Sequence, residues 1–308
     1  MPRRPLSAKP GTHSGHFKPD RILNFKVTEP SQLLDFLYSV LTECKRTTVK
    51  DYLKYRQVMV NGTVSTQFNQ PLNPGDTVLV NTTREFQTVY NSRLKIVYED
   101  DDLIVINKGY GLLSMGTDRK KDGTAYSLLR EYIKRKDPRN KLFIVHRLDQ
   151  HTSGLMVFAK SEKVKDAMQH NWNNIVLERK YIAVIDNGPL DPEEGEIRSY
   201  LAENSAHEVY VTDNPQDGKL AVTRYRTLRS RGRYSMVELS LETGRKNQIR
   251  VHMSHSGHPI VGDRRYGSDI SPIHRLALHA KTLRFAHPVT RKDMNFTCPE
   301  PAGFAKLV

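Results

Sequence analysis

Apolar positions recur with two different periods along this chain. Leu33, Leu34, Leu37 and Leu41 follow the 3.6-residue spacing of a helix, with Ser31 ahead of them as a capping residue. Val49, Tyr52 and Leu53 mark a second helical stretch at 48–55. Val58-Met59-Val60 reads as a short strand, and Asn61-Gly62 is a strong hairpin signal. Pro74-Gly75-Asp76 predicts another turn and Thr77-Val78-Leu79-Val80 a closing strand. Residues 21–82 are expected to form a small α+β module of about sixty residues, near the lower size at which a chain buries its own core.

The pattern changes after a polar linker at 83–94. Leu103-Ile104-Val105-Ile106, Phe143-Ile144-Val145, the run 155–159 and the run 181–185 are unbroken apolar stretches, as in strands covered on both faces. Across 236–242, Val237, Leu239 and Leu241 alternate with Glu238, Ser240 and Glu242, which predicts a strand with one wet face. The stretch 276–285 alternates less strictly, and helical periods fall at 124–136, 162–173 and 247–255. There is no regular repeat and no βαβ alternation. Residues 95–308 are therefore expected to build an α+β domain, a mixed, largely antiparallel sheet flanked by helices. Residues 1–20, broken by Pro2, Pro5, Pro10 and Pro19, read as a flexible basic tail.

Charge adds a partner class to this picture. The 308 residues carry 48 Lys plus Arg against 34 Asp plus Glu, a net charge of +14. Such an excess draws a chain to polyanions, with nucleic acid first among acidic membranes and acidic proteins. With 37% hydrophobic residues and no apolar run near the ~18 that a spanning helix needs, a membrane protein is not expected. No apolar block stands in the first twenty residues, so no secretory signal is expected either. Cys44 and Cys298 lie far apart and form no C-x-x-C pair, which suits a reducing, cytoplasmic setting.

Two clusters carry candidate chemistry. The segment His146-Arg147-Leu148-Asp149-Gln150-His151-Thr152-Ser153-Gly154 lies between two apolar strands, a loop of polar groups held by a sheet. Asp149 is its candidate nucleophile or base, although an aspartate in such a loop also serves as a turn former. The second cluster, Thr243-Gly244-Arg245-Lys246-Asn247-Gln248-Ile249-Arg250, turns from a strand into a helix. It can hold an RNA phosphate, pair a buried carboxylate, or stand in water. In the front module, Lys45, Arg46, Lys50, Lys54 and Arg56 fall close together, as a phosphate-binding helix face requires, or as a merely solvated face would show.

Taken in order, these motifs carry a resemblance. His146-Arg147-Leu148-Asp149-x-x-Thr152-Ser153-Gly154-Leu155, then Arg179-Lys180-Tyr181-x-Ala183, then Gly244-Arg245-x-x-Gln248-Ile249-Arg250-Val251-His252 resemble the RluA-type pseudouridine synthases. Asn107-Lys108 with Gly111-Leu112, the Gly262-Asp263-Arg264-Arg265-Tyr266-Gly267 run, Leu278-His279-Ala280 and His287-Pro288 extend the match over about 95–290. The front module resembles the S-four-like RNA-binding domain through Arg46, Lys50, the 58–62 hairpin and Pro74-Gly75-Asp76. The chain has Arg46-Thr47 where that domain usually has Ser-Arg, and Arg56 or Gln57 where it usually has Gly.

The resemblance implies the pseudouridine synthase fold and a base-flipping isomerisation of uridine in structured RNA. Large-subunit ribosomal RNA is the first substrate, transfer RNA the second, and a non-catalytic ribosome-assembly role the remaining alternative. It implies Asp149 as the essential aspartate, attacking C1′, attacking C6 or removing the C2′ proton. It implies Tyr181 as the ring packed on uracil and a group that can assist proton removal. Arg250 would pair with the aspartate, Arg147 would displace the target base, and Ile249 would line its pocket. Arg245, Lys108 and His146 fall to substrate binding. No cofactor, no metal, no membrane and a monomer are expected. Two positions depart from the family pattern: Gly109 follows Lys108 where proline is common, and Asn247 stands where histidine is common. Other readings are weaker. His252, His255 and His258 would fan around a helix rather than converge on a metal. Ser153, His146 and Asp149 lack a G-x-S-x-G elbow. The acidic stretch Asp191, Glu193, Glu194 and Glu196 reads as an exposed turn rather than a glycosidase pair, and Trp172 as a packing residue.

Overall fold

The computed structural model describes residues 21–61, 63–83, 91–116, 122–268 and 270–308. The basic tail at 1–20, Gly62 and residues 84–90 of the linker lie outside the described residues. The chain divides into two compact units, Met1–Thr88 and Val89–Val308.

In the first unit, the elements run β1 (Ile22–Lys26), β2 (Ser31–Gln32), α1 (Leu33–Val40), α2 (Arg46–Lys54), β3 (Val58–Val60), β4 (Thr63–Val64), β5 (Pro71–Leu72) and β6 (Thr77–Asn81). A four-stranded antiparallel sheet, ordered β1-β6-β3-β4, meets the two helices through Leu33, Leu37, Val49, Leu53, Val58, Val78 and Val80. Each such side chain stabilises by about 1.5–3 kcal/mol relative to exposure. Ser31 does not cap α1, contrary to the sequence expectation. It sits in β2, and the first helical N–H groups go instead to distant carbonyls, Leu33 N to Gln70 O at 2.9 Å and Leu34 N to Phe68 O at 2.9 Å. The orphan donors of a helix start are met by tertiary backbone, so no side-chain cap is needed. Asn61 adopts the left-handed conformation that its turn requires, and its amide donates to Asp76 Oδ1 at 2.8 Å, tying the two sequence-predicted turns together. Arg56 is also left-handed, at φ 60°, which is the backbone form that glycine usually supplies at such a place.

The second unit is built on β7 (Leu94–Glu99), β8 (Leu103–Lys108), α3 (Ala125–Lys136), β9 (Phe143–Ile144), β10 (Ser153–Ala159), α4 (Glu162–His170), α5 (Trp172–Ile175) and β11 (Val176–Ile185). It continues through β12 (Glu194–Glu203), β13 (Val209–Thr212), β14 (Lys219–Arg231), β15 (Tyr234–Leu241), α6 (Gln248–His255), β16 (Leu278–Ala286), β17 (Asp293–Thr297) and α7 (Ala302–Ala305). These strands form one mixed sheet ordered β13-β12-β14-β15-β11-β16-β10-β8-β7, with β17 on β16 and β9 on β10. Among its described pairings only β10 with β16 is parallel, so the sheet is mixed and largely antiparallel, as expected. All seven residues of β10 are buried, which is why its sequence shows no alternation. Gly154 makes the β10–β16 contact possible: at φ +119° it lies so close to Ala280 that a Cβ would collide with the Ala280 carbonyl.

Two sequence expectations change here. The acidic stretch is only partly a turn, because Glu194 and Glu196 belong to β12. There Glu196 pairs with Arg198 at 2.9 Å on the same strand and with Arg224 at 3.3 Å on β14, a cross-strand neighbour that the local sequence does not show. The helix expected over 162–173 stops at His170, and Trp172 opens a separate turn after Asn171. No described helix is long and apolar enough to cross a membrane.

Candidate active site

The β9–β10 loop, the middle of β11 and the turn from β15 into α6 surround a cleft of about 500 Å³. Its wall includes His146, Arg147, Asp149, Thr152, Trp172, Arg179, Tyr181, Arg245, Ile249 and Arg250. Residues drawn from sequence motifs about a hundred positions apart thus meet in one place.

Asp149 is half-buried, and the residues on either side of it are clamped. Leu148 exchanges two hydrogen bonds with Ser114: Ser114 Oγ donates to Leu148 O at 2.5 Å and accepts from Leu148 N at 3.1 Å. Gln150 O accepts from Gly111 N at 3.0 Å and from Lys108 Nζ at 3.2 Å. Ser153, three residues further on, is stitched down as well. Arg275 donates to Ser153 Oγ at 2.7 Å; the Cys298 thiol donates to Ala280 O, so His279 Nε2 donates to its sulfur at 3.1 Å and Nδ1 accepts from the Ser153 hydroxyl at 2.8 Å. Burial pushes His279 down to about 4 and the adjoining Cys298 thiol up to about 11, so this chain stays neutral. Rigid neighbours hold the carboxylate in place, and among the described residues none makes a side-chain hydrogen bond to it, which leaves its oxygens for a ligand.

Lys108 corrects an expectation. It is 0% exposed and does not line the cleft, so it cannot bind substrate directly. Its ammonium donates to the carbonyls of Leu112 at 2.8 Å, Gln150 at 3.2 Å and Gly109 at 3.3 Å, bracing the loop behind Asp149. Burial presses its pKa down to about 7, with Asp149 pulling the other way and Arg275 and Arg93 adding to the fall. An unfolded lysine binds its proton up to about pH 10.4. The unfolded state therefore holds more protons between about pH 7 and 10, and native stability rises with pH there. Relative to Lys108→Met, the wild-type protein is expected to gain on the order of 1 kcal/mol per pH unit from pH 7 to 9 in denaturant titrations. A pH-independent difference between the two proteins would count against a depressed Lys108.

Arg250 also finds a different partner from the one expected. Its guanidinium makes a two-bonded pair with Asp263, Nε to Oδ2 and Nη2 to Oδ1, both at 2.7 Å. Nη1 donates to Asn247 Oδ1 at 2.8 Å, and the group lies 4.8 Å from the Tyr266 ring centroid. Burial opposes its charge, but Asp263, and beyond it Asp149 and Tyr266, raise its pKa above the ordinary value. Arg250 therefore reaches Asp149 by its field rather than by a hydrogen bond.

Both departures from the family pattern have a local reason. Gly109 N donates to Arg93 O at 2.6 Å, a bond proline cannot make, and a Cβ at Gly109 would lie 2.8 Å from Arg93 Cα. Asn247 opens α6 in the left-handed conformation, φ 54°, which asparagine tolerates. Its amide joins Arg250 to the Tyr266 hydroxyl, the latter at 3.1 Å.

The other predicted residues divide by exposure. Arg147 is exposed at the cleft, and Ile249 lies 4% exposed in its wall. Arg245 is tied to Leu220 O at 2.9 Å. His146 lines the cleft, but Nε2 accepts from Val157 N at 3.1 Å, and burial, with Arg179 adding, drives its pKa down to about 3. It is a neutral anchor to β10. Burial raises the Tyr181 phenol, Arg179 pulls it back and Asp149 raises it further, so the hydroxyl keeps its proton. In the first unit Lys45, Arg46, Lys50 and Lys54 are exposed and Arg56 is half-buried. Arg46, Lys50 and Lys54 follow at four-residue spacing along one flank of α2.

Sequence reasoning gave no role to Ser114, Arg179, Thr152 or Asp263. Arg179 and Asp263 stood inside recognised motifs, whereas nothing local marks Ser114. Thr152 is 2% exposed and its hydroxyl has no hydrogen-bond partner in the cleft wall. Among the described residues, Asp100, Asp102 and His287 lie close enough to suggest a metal. Yet His287 Nδ1 accepts from Val289 N and Thr290 N, which puts the proton on Nε2, donated to Asp100 at 3.1 Å. Neither nitrogen is left to ligate. His252 is likewise engaged at both nitrogens, by Thr223 at 2.9 Å and Ser199 at 3.0 Å.

Comparison with known proteins places the chain in a family. A family model described as RNA pseudouridylate synthase matches residues 102–255. The uncharacterized RNA pseudouridine synthase YlyB of Bacillus subtilis is 34% identical, over 91% of this chain and 94% of its own length. The ribosomal large subunit pseudouridine synthase D of Haemophilus influenzae is 32% identical, over 88% of each chain. Among solved structures, human RNA pseudouridylate synthase domain containing 4 superposes with a TM-score of 0.57 at 26% identity, covering 68% of this chain and 90% of that one.

Proposed function

This chain belongs to the RluA-type RNA pseudouridine synthases, and we propose that its Asp149 carboxylate isomerises specific uridines of large-subunit ribosomal RNA. The observation that carries the proposal is the Asp149 loop, pinned on both sides of one carboxylate that faces a cleft walled by Tyr181, Arg147 and Arg250. The reaction breaks N1–C1′, turns the uracil and joins C5 to C1′. C5 gives up its proton and N1 gains one, so atoms and electrons balance without a donor.

Each residue has a defined part in that reaction. Extruding the base costs a few kcal/mol, and exposed Arg147 is placed to fill the vacated stack. Tyr181 offers a flat ring and a protonated hydroxyl. Ile249 supplies apolar wall, and Arg250, held by Asp263, adds a positive charge to the wall that Asp149 shares. Lys108 and His146 brace the loop and strand rather than touch substrate. Two features support ribosomal RNA: the similarity to large-subunit synthases over nearly the whole chain, and the basic flank of α2 in a unit that resembles S-four-like domains. In this reading the enzyme works as a cytoplasmic monomer.

Pseudouridine mapping in cells with and without the gene tests the substrate. Sites in large-subunit ribosomal RNA are expected to vanish with the gene and return with it. Sites lost only from transfer RNA would replace the proposed substrate, and no lost site in any RNA would favour the non-catalytic assembly reading.

A further inference from the structure

The cleft extends beyond the groups that the isomerisation uses. Trp172, the only tryptophan in the chain, opens α5 where α4 has stopped, and it is half-buried in the cleft wall beside Asn173. Part of its ring packs against the core around β10. The remainder meets two polar neighbours: the His146 ring at 5.1 Å and the Arg179 guanidinium at 5.7 Å from the indole. Arg179 and Tyr181 are two residues apart on β11, so they project from the same face of the sheet. Tyr181, Arg179 and Trp172 therefore form a row along one wall.

The Arg179 charge is not consumed by the fold. Its Nη2 donates to the backbone carbonyls of Leu241 at 3.2 Å and Glu242 at 3.4 Å, and among the described residues no carboxylate pairs with it. A tryptophan needed only for packing requires neither an opening to the cleft nor an unneutralised cation at its ring. An aromatic plane with a guanidinium beside it is, however, the surface on which splayed RNA bases stack.

We infer that Trp172 and Arg179 form a second nucleobase subsite, which seats an unpaired base neighbouring the target uridine while the uracil lies on Tyr181. This deepens the uridine-isomerase reading and rests on it. It also gives the enzyme a means of preferring uridines in loops, because only an unstacked neighbour can reach the indole.

The single tryptophan is its own reporter. Wild-type protein titrated with an unmodified large-subunit ribosomal RNA transcript should show quenched tryptophan emission that saturates with binding. Trp172→Ala is expected to raise KM about five- to one-hundred-fold while kcat falls little, and Trp172→Phe to keep most of the affinity. Emission that ignores saturating RNA, or an unchanged KM in Trp172→Ala, overturns the subsite. A drop in kcat and thermal stability at constant KM assigns the indole to packing and also overturns it. Should Trp172→Ala fail to fold, the wild-type titration and the Phe variant still decide. Wild-type protein that makes no pseudouridine in any RNA refutes the functional reading instead, a result separate from the emission titration.

Discussion

Asp149→Asn is expected to lose at least about a thousandfold in pseudouridine formation while keeping the wild-type fold. Asparagine matches aspartate in shape, and no side-chain hydrogen bond to Asp149 among the described residues would be broken. The loop is held by Ser114, Gly111 and Lys108 through the backbone of Leu148 and Gln150, which the substitution leaves alone. Asp149 does lend charge to its surroundings, since it favours the ionised forms of Lys108 and Arg250. Losing that support changes stability only modestly, and a Tm within about 4 °C of wild type is expected. The measurement is single-turnover assay on unmodified ribosomal RNA transcript beside a thermal melt. Turnover within tenfold of wild type would place the chemistry on another residue.

Asp263→Ala should be the most destabilising single change in the cleft region. Asp263 is 2% exposed and Arg250 9%, and they share two bonds of 2.7 Å. Removing the carboxylate strands a buried guanidinium, a loss of about 3–5 kcal/mol that denaturant titration can read. Activity should fall with it, because Arg250 would then be free to swing toward Asp149. Stranded charge, rather than lost attraction, causes most of this penalty. The double variant Arg250→Met with Asp263→Leu is therefore expected to recover much of the stability and none of the activity. A stable Asp263→Ala protein would show that the pair is not shielded from water as its geometry indicates.

Much of the architecture is legible in the sequence. The Val58–Val60 strand matches its sequence pattern residue for residue, and the apolar runs form buried stretches of β8, β10 and β11. Such runs carry their own evidence, because a strand buried on both faces has no polar position to interrupt it. The helical period expected over 124–136 became α3, with its first residue, Thr124, as the cap in a local hydrogen-bonded box with Ser127. The long strands β12 and β14 were missed. Their alternating Glu and Arg residues resemble loop composition until the partner strand supplies the opposite charges.

The chain alone, then, determined the apolar strands and most of the helices, but not β12 or β14, and it determined which loop carries the lone carboxylate and where excess positive charge gathers. These are properties of short windows, set by side-chain period, turn chemistry and motif order. Tertiary structure decided who partners whom. It turned Arg250 toward Asp263, buried Lys108 behind the loop, met the α1 start with distant carbonyls instead of Ser31, and opened Trp172 to the cleft. The physical reason is that a buried charge or N–H must be satisfied by whatever group the fold brings within about 3 Å, however remote in sequence. Ser114 and Leu148 are 34 residues apart and make two such bonds; no local pattern encodes that meeting, yet it sets where Asp149 stands.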